Sequence, residues 1–396
     1  VLDGGRGVGI LGVCSGHYLW YTVRFHSLVV ESSGPMQALW LGLQSTWIGI
    51  DFFFVVSGLL ITRILLDSKN DPAGLYFRNF YGRRVLRIFP LYYGILAVIF
   101  LVLPHYVPFN TPSLHRLQSH QIYLWLYLQN LFNVGGWHSG LLNLGHCWSL
   151  AVEEHFYLTW PLLVYFFSRK GLIRITTGMI LICPCIRWYL VTIDWGNVVY
   201  VNTLCRMDAI AYGCLLTLIL EDAALKARFL AVARPLLLFG LAGMATCFVV
   251  GGPAWFRFHQ LDTFGLAALD LASCAYTFLV LAGQLPLHTR LLQTRWLCFV
   301  GKNTYGIYLL HYLILPTLDR LVPVAWFLQT VSNWFLAVVA HQIVELAVTV
   351  AVAATIRELY EKQFLRLNRF FPRKPIVLAV SDAPAESVIS PIGSTA

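Results

Sequence analysis

Charge is what this sequence has least of. Only 12% of its 396 residues are Asp, Glu, Lys or Arg, and 58% are hydrophobic, whereas a soluble globular domain is about 25% charged. That scarcity excludes a large soluble helical protein, because apolar runs long enough to cross a bilayer recur along the chain. Acidic residues are scarcer than basic ones, 19 against 28, for a net charge of +9. In a soluble protein this excess would suggest nucleic acid. Here the basic residues sit in short loops between apolar runs and read as topology signals, so no nucleic-acid partner is expected. The other use they permit is an anionic small molecule at the cytoplasmic face. No Cys-x-x-Cys occurs among the nine cysteines. The one close pair, Cys183-Pro-Cys185, has a single intervening residue and does not read as a zinc or redox site. Most of the others, such as Cys14 and Cys214, lie inside apolar runs and behave as small hydrophobes. No repeat, soluble domain or cleavable signal peptide is apparent, and the chain opens at Val1.

What is there is an all-α polytopic membrane pattern. Ten spans are expected, near 7–24, 47–66, 85–103, 147–167, 175–191, 204–220, 235–250, 263–282, 298–318 and 334–356. The segment 120–135, HQIYLWLYLQNLFNVG, is apolar but short and holds two glutamines. The positive-inside rule settles its reading. With ten spans, the loops carrying Arg78, Arg83 and Arg84, then Arg169, Lys170 and Arg174, then Lys226, Arg228 and Arg234, then Arg290 and Arg295, all face inward. The tail with Arg357, Lys362, Arg366, Arg369 and Arg373 does too. An eleventh span would put three of these loops and the tail outside, so 120–135 is expected to be re-entrant or interfacial. Residues 1–360 form one expected transmembrane domain. Residues 361–396 form a cytoplasmic tail, expected to be disordered beyond 373.

Ionisable groups inside spans are costly and mark functional sites by default. They are His17, Glu153, Glu154, Arg187, Arg206, Asp208, Asp270, His311, His341 and Glu345, with Arg6, Asp51, Arg84 and Arg87 near span ends. Arg187 is close enough to a span end to snorkel and is given no role. Arg6 and His17 are eleven residues apart, about 1100° of helical rotation and about 16 Å of rise. They share a face but cannot be partners: an anion-binding group stands at the mouth and a titratable base at depth. The plainer reading of His17 is a hydrogen bond between helices. Arg84 and Arg87, at i and i+3, also share a face. Paired guanidiniums suit phosphate, but on spacing alone ordinary positive-inside anchoring is the stronger reading. Glu153 and Glu154 point about 100° apart, so at most one faces the cavity of His17, where a carboxylate could orient the imidazole. A buried ion pair is the competing reading, and which of the two faces His17 stays open. Arg206 and Asp208 do not face each other, and each needs a partner elsewhere. His311 reads as packing or cavity lining.

Together these blocks resemble one family, the acyltransferase 3 family of integral membrane O-acyltransferases. LDGGRG with His17, GIDFFFVVSGLLI at 49–61 and FYGRRVLRIFPLY at 80–92 are similar to its motifs. So are WSLAVEEHFYLTWPLL at 148–163, TLCRMDAIAYG at 203–213 and GKNTYGIYLLH at 301–311, all in family order. The resemblance implies a ten-helix fold and an acyl-coenzyme A donor as co-substrate, with no bound cofactor and no metal. It implies that His17 is catalytic, that Glu153 is the more telling carboxylate, and that Arg84 and Arg87, with Arg6, contact the donor. Asp51, Ser57, Glu154, Arg206, Asp208 and His311 are then cavity or structural residues. Gly5 and His155 depart from the usual large apolar residue and Gln. The first helix is rich in glycine at 7, 9, 12 and 16, which suits close approach by a neighbour or an acyl chain. The hydrolase-like domain that the family often carries is not in this sequence, so the acceptor is expected to be met by the membrane domain or a separate protein.

The expected activity is transfer of an acyl group, acetyl foremost, from acyl-CoA at the cytoplasmic side to a hydroxyl of a glycan or glycolipid. The expected setting is the cell membrane, in a bacterium the inner one, with both termini cytoplasmic. A transporter or flippase for a lipid-linked sugar would also carry buried charges and broken helices, but leaves the arginine pair without a ready use. A purely structural scaffold leaves the buried ionisable groups unexplained.

Overall fold

The computed structural model describes residues 1–26, 42–43, 45–106, 111–131, 143–251 and 259–372. The expectations for 132–135 and for the tail beyond 373 lie outside the described residues. Within them the chain is helical without a β-strand. The principal helices are α1 (Leu2–His26), α2 (Gly49–Ser68), α3 (Ala73–Ala97), α4 (Trp148–Phe166), α5 (Arg169–Thr192), α6 (Thr203–Leu220), α7 (Ala223–Gly251), α8 (His259–Leu281), α9 (Arg295–Lys302), α10 (Thr304–Leu321) and α11 (Trp334–Ile356). Asparagine side chains set two of the starts: Asn202 accepts from the Leu204 amide at 2.9 Å and Asn333 from the Leu336 amide at 3.1 Å, satisfying donors that a helix N-terminus leaves open.

Among the described residues, seven helices are long and apolar enough to cross a membrane, eight if α10 is joined to Val324–Thr330 across a 51° bend. The chain is therefore a multi-pass helical membrane protein, but length and apolarity alone do not select ten spans. α1 and α4 fall short of that apolarity. α1 carries Asp3, Arg6, His17 and its glycines, and α4 carries Glu153, Glu154 and His155. The residues that lower their hydropathy include those that form the candidate site. At 121–131 there is no continuous helix: Gln121–Trp125 is followed by turns, with Tyr127 at a φ of +55°. Stacking on Tyr92 of α3, 4.4 Å between ring centroids, holds Tyr127 there.

The spans divide into interior and peripheral ones. The apolar windows of α2, α6 and α8 are 61%, 72% and 67% buried inside the protein, against 17% for α5 and α7, whose remaining surface is left to lipid. α2 and α6 lie unusually close through two reciprocal glycines. A Cβ on Gly58 would collide with the Ile210 carbonyl, and one on Gly213 with the Val55 carbonyl. Small residues allow this approach in membranes, where packing rather than solvent exclusion holds helices together. The glycines of α1 serve neighbouring protein: Gly7 abuts the Leu297 carbonyl of α9 and Gly9 the Phe53 ring. Gly5 is explained the same way, since the Phe52 ring tip lies 2.9 Å from where its Cβ would stand.

Two helices outrun the bilayer. α3 continues through a π-turn, Val98–Val102, to His105, and α11 through another, Arg357–Glu361, to Phe370. The continuation of α11 passes the domain boundary expected at 360 and packs along α3. Tyr360 donates to the Pro90 carbonyl at 3.1 Å, and Arg83 donates to the Phe371 and Asn368 carbonyls.

The α2–α6 contact yields a prediction. Gly213→Ala places a methyl group against a backbone carbonyl that cannot rotate away. It should destabilise the folded protein by about 1–3 kcal/mol, the usual range for overpacking, read as a lowered midpoint in thermal unfolding of the detergent-solubilised chain. An unchanged midpoint would mean that the two helices do not touch there.

Candidate active site

Three groups of polar side chains join the helices of the bundle. The first joins α1 to α10. His17 Nδ1 lies 3.0 Å from His311 Nε2, and His311 Nδ1 lies 2.6 Å from the Tyr308 carbonyl oxygen one turn earlier. A carbonyl only accepts, so His311 carries its proton on Nδ1. Neutral His311 then presents a lone pair at Nε2, and His17 donates to it through Nδ1. His17 is left with its lone pair on Nε2, the state a general base requires. His311 is fully buried, whereas His17 is partly exposed. Around them stand Tyr312, 4.8 Å from the His17 ring, and His146, 4.9 Å from the His311 ring. Tyr308 fixes the wall by donating to the His146 carbonyl at 2.7 Å. Tyr18, next to His17, bonds Thr349 of α11 at 2.6 Å and pins α1 in rotation.

The second group gathers the three arginines expected at the mouth. Arg84 lies over the Tyr157 ring at 5.3 Å and the Phe80 ring at 5.7 Å. Tyr157 donates to Glu153 Oε2 at 3.0 Å, and Ser57 bonds the Tyr157 hydroxyl at 3.2 Å. Arg6 is within electrostatic reach of Arg87, Asp3 and Glu153, and Arg84 of both Glu153 and Glu154. Helices α1, α2, α3 and α4 thus bring Arg6, Ser57, Arg84, Arg87, Glu153 and Glu154 into one cluster of guanidiniums and carboxyls. Of the two carboxyls, Glu153 is the one held by Tyr157. The ring that meets His17 Nδ1 is His311, so the structure gives the imidazole a histidine where the sequence suggested a carboxylate.

The third group is a buried ion network. Arg206 pairs with Asp51, and Arg187 with Asp208, at 2.7 and 3.0 Å through its two Nη atoms. Asp270 is buried beside these pairs, within electrostatic reach of Asp51, Asp208, Arg187 and Arg206. Arg206 and Asp208 each find the distant partner that their spacing requires. Arg187 corrects the sequence reading: it does not snorkel, and its side chain is fully buried. The reason is Asp208, one helix away, whose charge would otherwise stand alone. Arg206 is boxed by the rings of Tyr200 at 5.1 Å and of Trp148 and Phe54 at 5.7 Å. That enclosure makes the network an anchor between α2, α5, α6 and α8.

Sequence reasoning missed His146 and Tyr308 entirely. The signal available was the place of Tyr308 in the block holding His311 and of His146 two residues ahead of the block holding Glu153. His341 and Glu345, 3.6 Å apart in α11, stay outside all three groups. Among the described residues no three His, Cys, Asp or Glu side chains are arranged to hold a metal ion.

Comparison with known proteins identifies the family. A family model described as an acyltransferase domain matches residues 1–356. The chain is 28% identical over 368 residues to the "Putative peptidoglycan O-acetyltransferase YrhL" of Bacillus subtilis, covering 87% of this chain and 54% of the relative. It is 26% identical over 337 residues to the "O-acetyltransferase OatA" of Staphylococcus aureus, 79% of this chain and 50% of that one. It is 28% identical over 367 residues to the "Peptidoglycan O-acetyltransferase OatA" of Listeria monocytogenes, 82% and 56%. The chain spans about half the length of these curated relatives. No solved structure matches it.

The ion network carries its own test. Arg187→Ala strands Asp208 without a counter-charge in a fully buried position. Breaking one partner out of a buried pair costs about 3–5 kcal/mol, so the variant should lose most of its folded yield, measured by size-exclusion profile and thermal midpoint. A variant as stable as the parent would remove the network from its anchoring role.

Proposed function

The chain belongs to this acyltransferase family, and from that premise we propose that it moves an acetyl group from acetyl-CoA to a hydroxyl of a cell-envelope glycan, with peptidoglycan the foremost acceptor. The observation that carries the reading is the hydrogen-bonded run from the Tyr308 carbonyl through His311 to His17, which leaves His17 Nε2 basic. Acyl transfer from a thioester to an alcohol needs such a base. His17 Nε2 takes the hydroxyl proton as the oxygen attacks the thioester carbon. The carbon–sulfur bond then breaks, and the imidazolium returns the proton to the departing thiolate, giving ester and free thiol. During that cycle the charge on His17 is stabilised through Nδ1–H by His311, whose own proton is held by the Tyr308 carbonyl. His311 therefore takes the orienting role that a carboxylate has in a catalytic triad, and Glu153 belongs with Tyr157 to the arginine cluster.

Arg6, Arg84 and Arg87 are assigned to the donor. Guanidiniums suit phosphate oxygens, and coenzyme A presents phosphates at one end and a thioester at the other. The rise from Arg6 to His17, about 16 Å along α1, separates the two ends as such a donor does. The donor enters from the cytoplasmic side and the acceptor from the opposite one. Both termini then face the cytoplasm, and ten helices cross, α1 and α4 among them. A transporter of lipid-linked sugar is the weaker reading, because the family match speaks for group transfer.

Two measurements test this. Purified protein given acetyl-CoA and a soluble glycan acceptor should form an acetyl ester detectable by mass spectrometry. His17→Ala should lower the rate about 10²–10⁴-fold, the usual contribution of a general base, in a chain that still elutes as folded. His311→Gln should slow turnover while leaving donor affinity unchanged. Wild-type turnover in folded His17→Ala would sink the mechanism. For topology, a reporter fused after residue 373 should read cytoplasmic and one within 104–119 extracytoplasmic. A tail outside the cell would mean an odd number of spans.

A further inference from the structure

The continuation of α11 reaches the arginine cluster from beyond residue 356, where the match to the family ends. It brings Glu361, whose side chain is 8% exposed and whose Oε1 has no hydrogen-bond partner among the described residues. A buried carboxylate without partners is costly, and it persists where a nearby opposite charge offsets that cost. Tyr305 of α10 donates to the carbonyl of Ile88, next to Arg87, at 2.6 Å, and the cations acting on Glu361 are Arg87 of α3 and Arg357 on its own turn. Its Oε1 also lies 3.2 Å from where a Cβ on Gly306 would stand, at the start of α10. Glycine at 306 is what lets the carboxyl reach so far in.

The cluster's charges make the position telling. Arg6, Arg84 and Arg87 stand among Asp3, Glu153, Glu154 and Glu361. Carboxyls outnumber these guanidiniums, and a site that receives phosphates cannot keep every arginine engaged with a carboxylate. Glu153 is held by Tyr157. Glu361 has no such tie on Oε1 and rides on a π-turn, a form in which helices often carry functional residues.

We propose that Glu361 is the resident counter-charge of Arg87 when no donor is bound and sets donor affinity by competing with the donor's phosphates for that guanidinium. The inference rests on the reading of Arg6, Arg84 and Arg87 as the donor site. When coenzyme A binds, a phosphate takes the place that the carboxylate holds electrostatically, and Glu361 is left with Arg357 alone. The residue thus works against binding and in favour of release of the spent, still anionic coenzyme.

The test is a titration of coenzyme A onto the full chain in detergent, with wild type, Glu361→Gln, Arg87→Ala and the double variant. Glu361→Gln should tighten binding about two- to fivefold, the scale of a partly solvated ion pair. A gain of affinity cannot come from damaged folding, and Glu361→Ala, which also removes the charge, should tighten binding as well. Arg87→Ala should weaken binding about tenfold to a hundredfold, as loss of a charged hydrogen bond does. Adding Glu361→Gln to Arg87→Ala should then change nothing, since coupled residues fail to add. Weaker binding by Glu361→Gln would overturn the proposal and make Glu361 a direct ligand contact. Unchanged binding by Glu361→Gln beside a weakened Arg87→Ala would overturn it while leaving the donor site standing. If Arg87→Ala binds like wild type, the donor assignment itself falls, and this inference with it.

Discussion

A charge removed from water must meet an opposite charge, and most of this architecture follows from that constraint. Asp51, Asp208 and Asp270 stand with Arg187 and Arg206 at 0–1% exposure. In hydrocarbon the stray member of such a set costs several kcal/mol, so four helices are bound to one arrangement. α2 and α6 are a tight pair, because Gly58 and Gly213 let their backbones meet while Asp51 and Arg206 join their ends. The same α2 presents Ser57 to Tyr157, about 9 Å of rise from Asp51. A structural anchor at one level of the helix thereby fixes a hydroxyl at the level of the arginines.

α1 works differently. It is glycine-rich and too polar to rank with the apolar spans, and it is gripped by α9, by Phe52 and Phe53, and by the Tyr18–Thr349 bond. Such a helix has little freedom to rotate. That matters because Arg6 and His17 occupy one face of it at different depths, and the chemistry proposed for them requires both to point at the same ligand. The histidine is fixed further by a partner whose tautomer is dictated by its own helix backbone. No second titratable group is needed to hold the proton on His311 Nδ1.

The fold class is legible in the sequence because lipid allows so few answers: apolar runs of bilayer length must be helices. The number of crossings is less so, since α1 and α4 carry polar side chains that lower their apolarity and α10 is bent. Among site residues, helical spacing alone puts Arg6 and His17 on one face, and Arg84 with Arg87 on another. Spacing cannot bring together residues from different helices. The contact of His17 with His311 joins positions 294 residues apart. The pairing of Arg187 with Asp208 crosses from α5 to α6, and a residue near a helix end looks able to reach water until its neighbour is known. Glu361 gives no signal, being one of two acidic residues in a basic stretch.

The uneven lengths of the helices bear on the lipid around them. The rod from Trp334 to Phe370 has 37 residues, about 55 Å at 1.5 Å per residue, against about 30 Å of hydrocarbon. Such a rod tilts or protrudes, and bilayer thickness decides how it does so. Because its far end is fastened to α3 through Tyr360 and Arg83, a thicker or thinner membrane cannot move that end alone. It shifts the paired rods together, and with them the depth at which the arginines meet the aqueous phase. Lipid composition therefore becomes a variable of the enzyme itself, acting through mismatch on the level of its polar mouth.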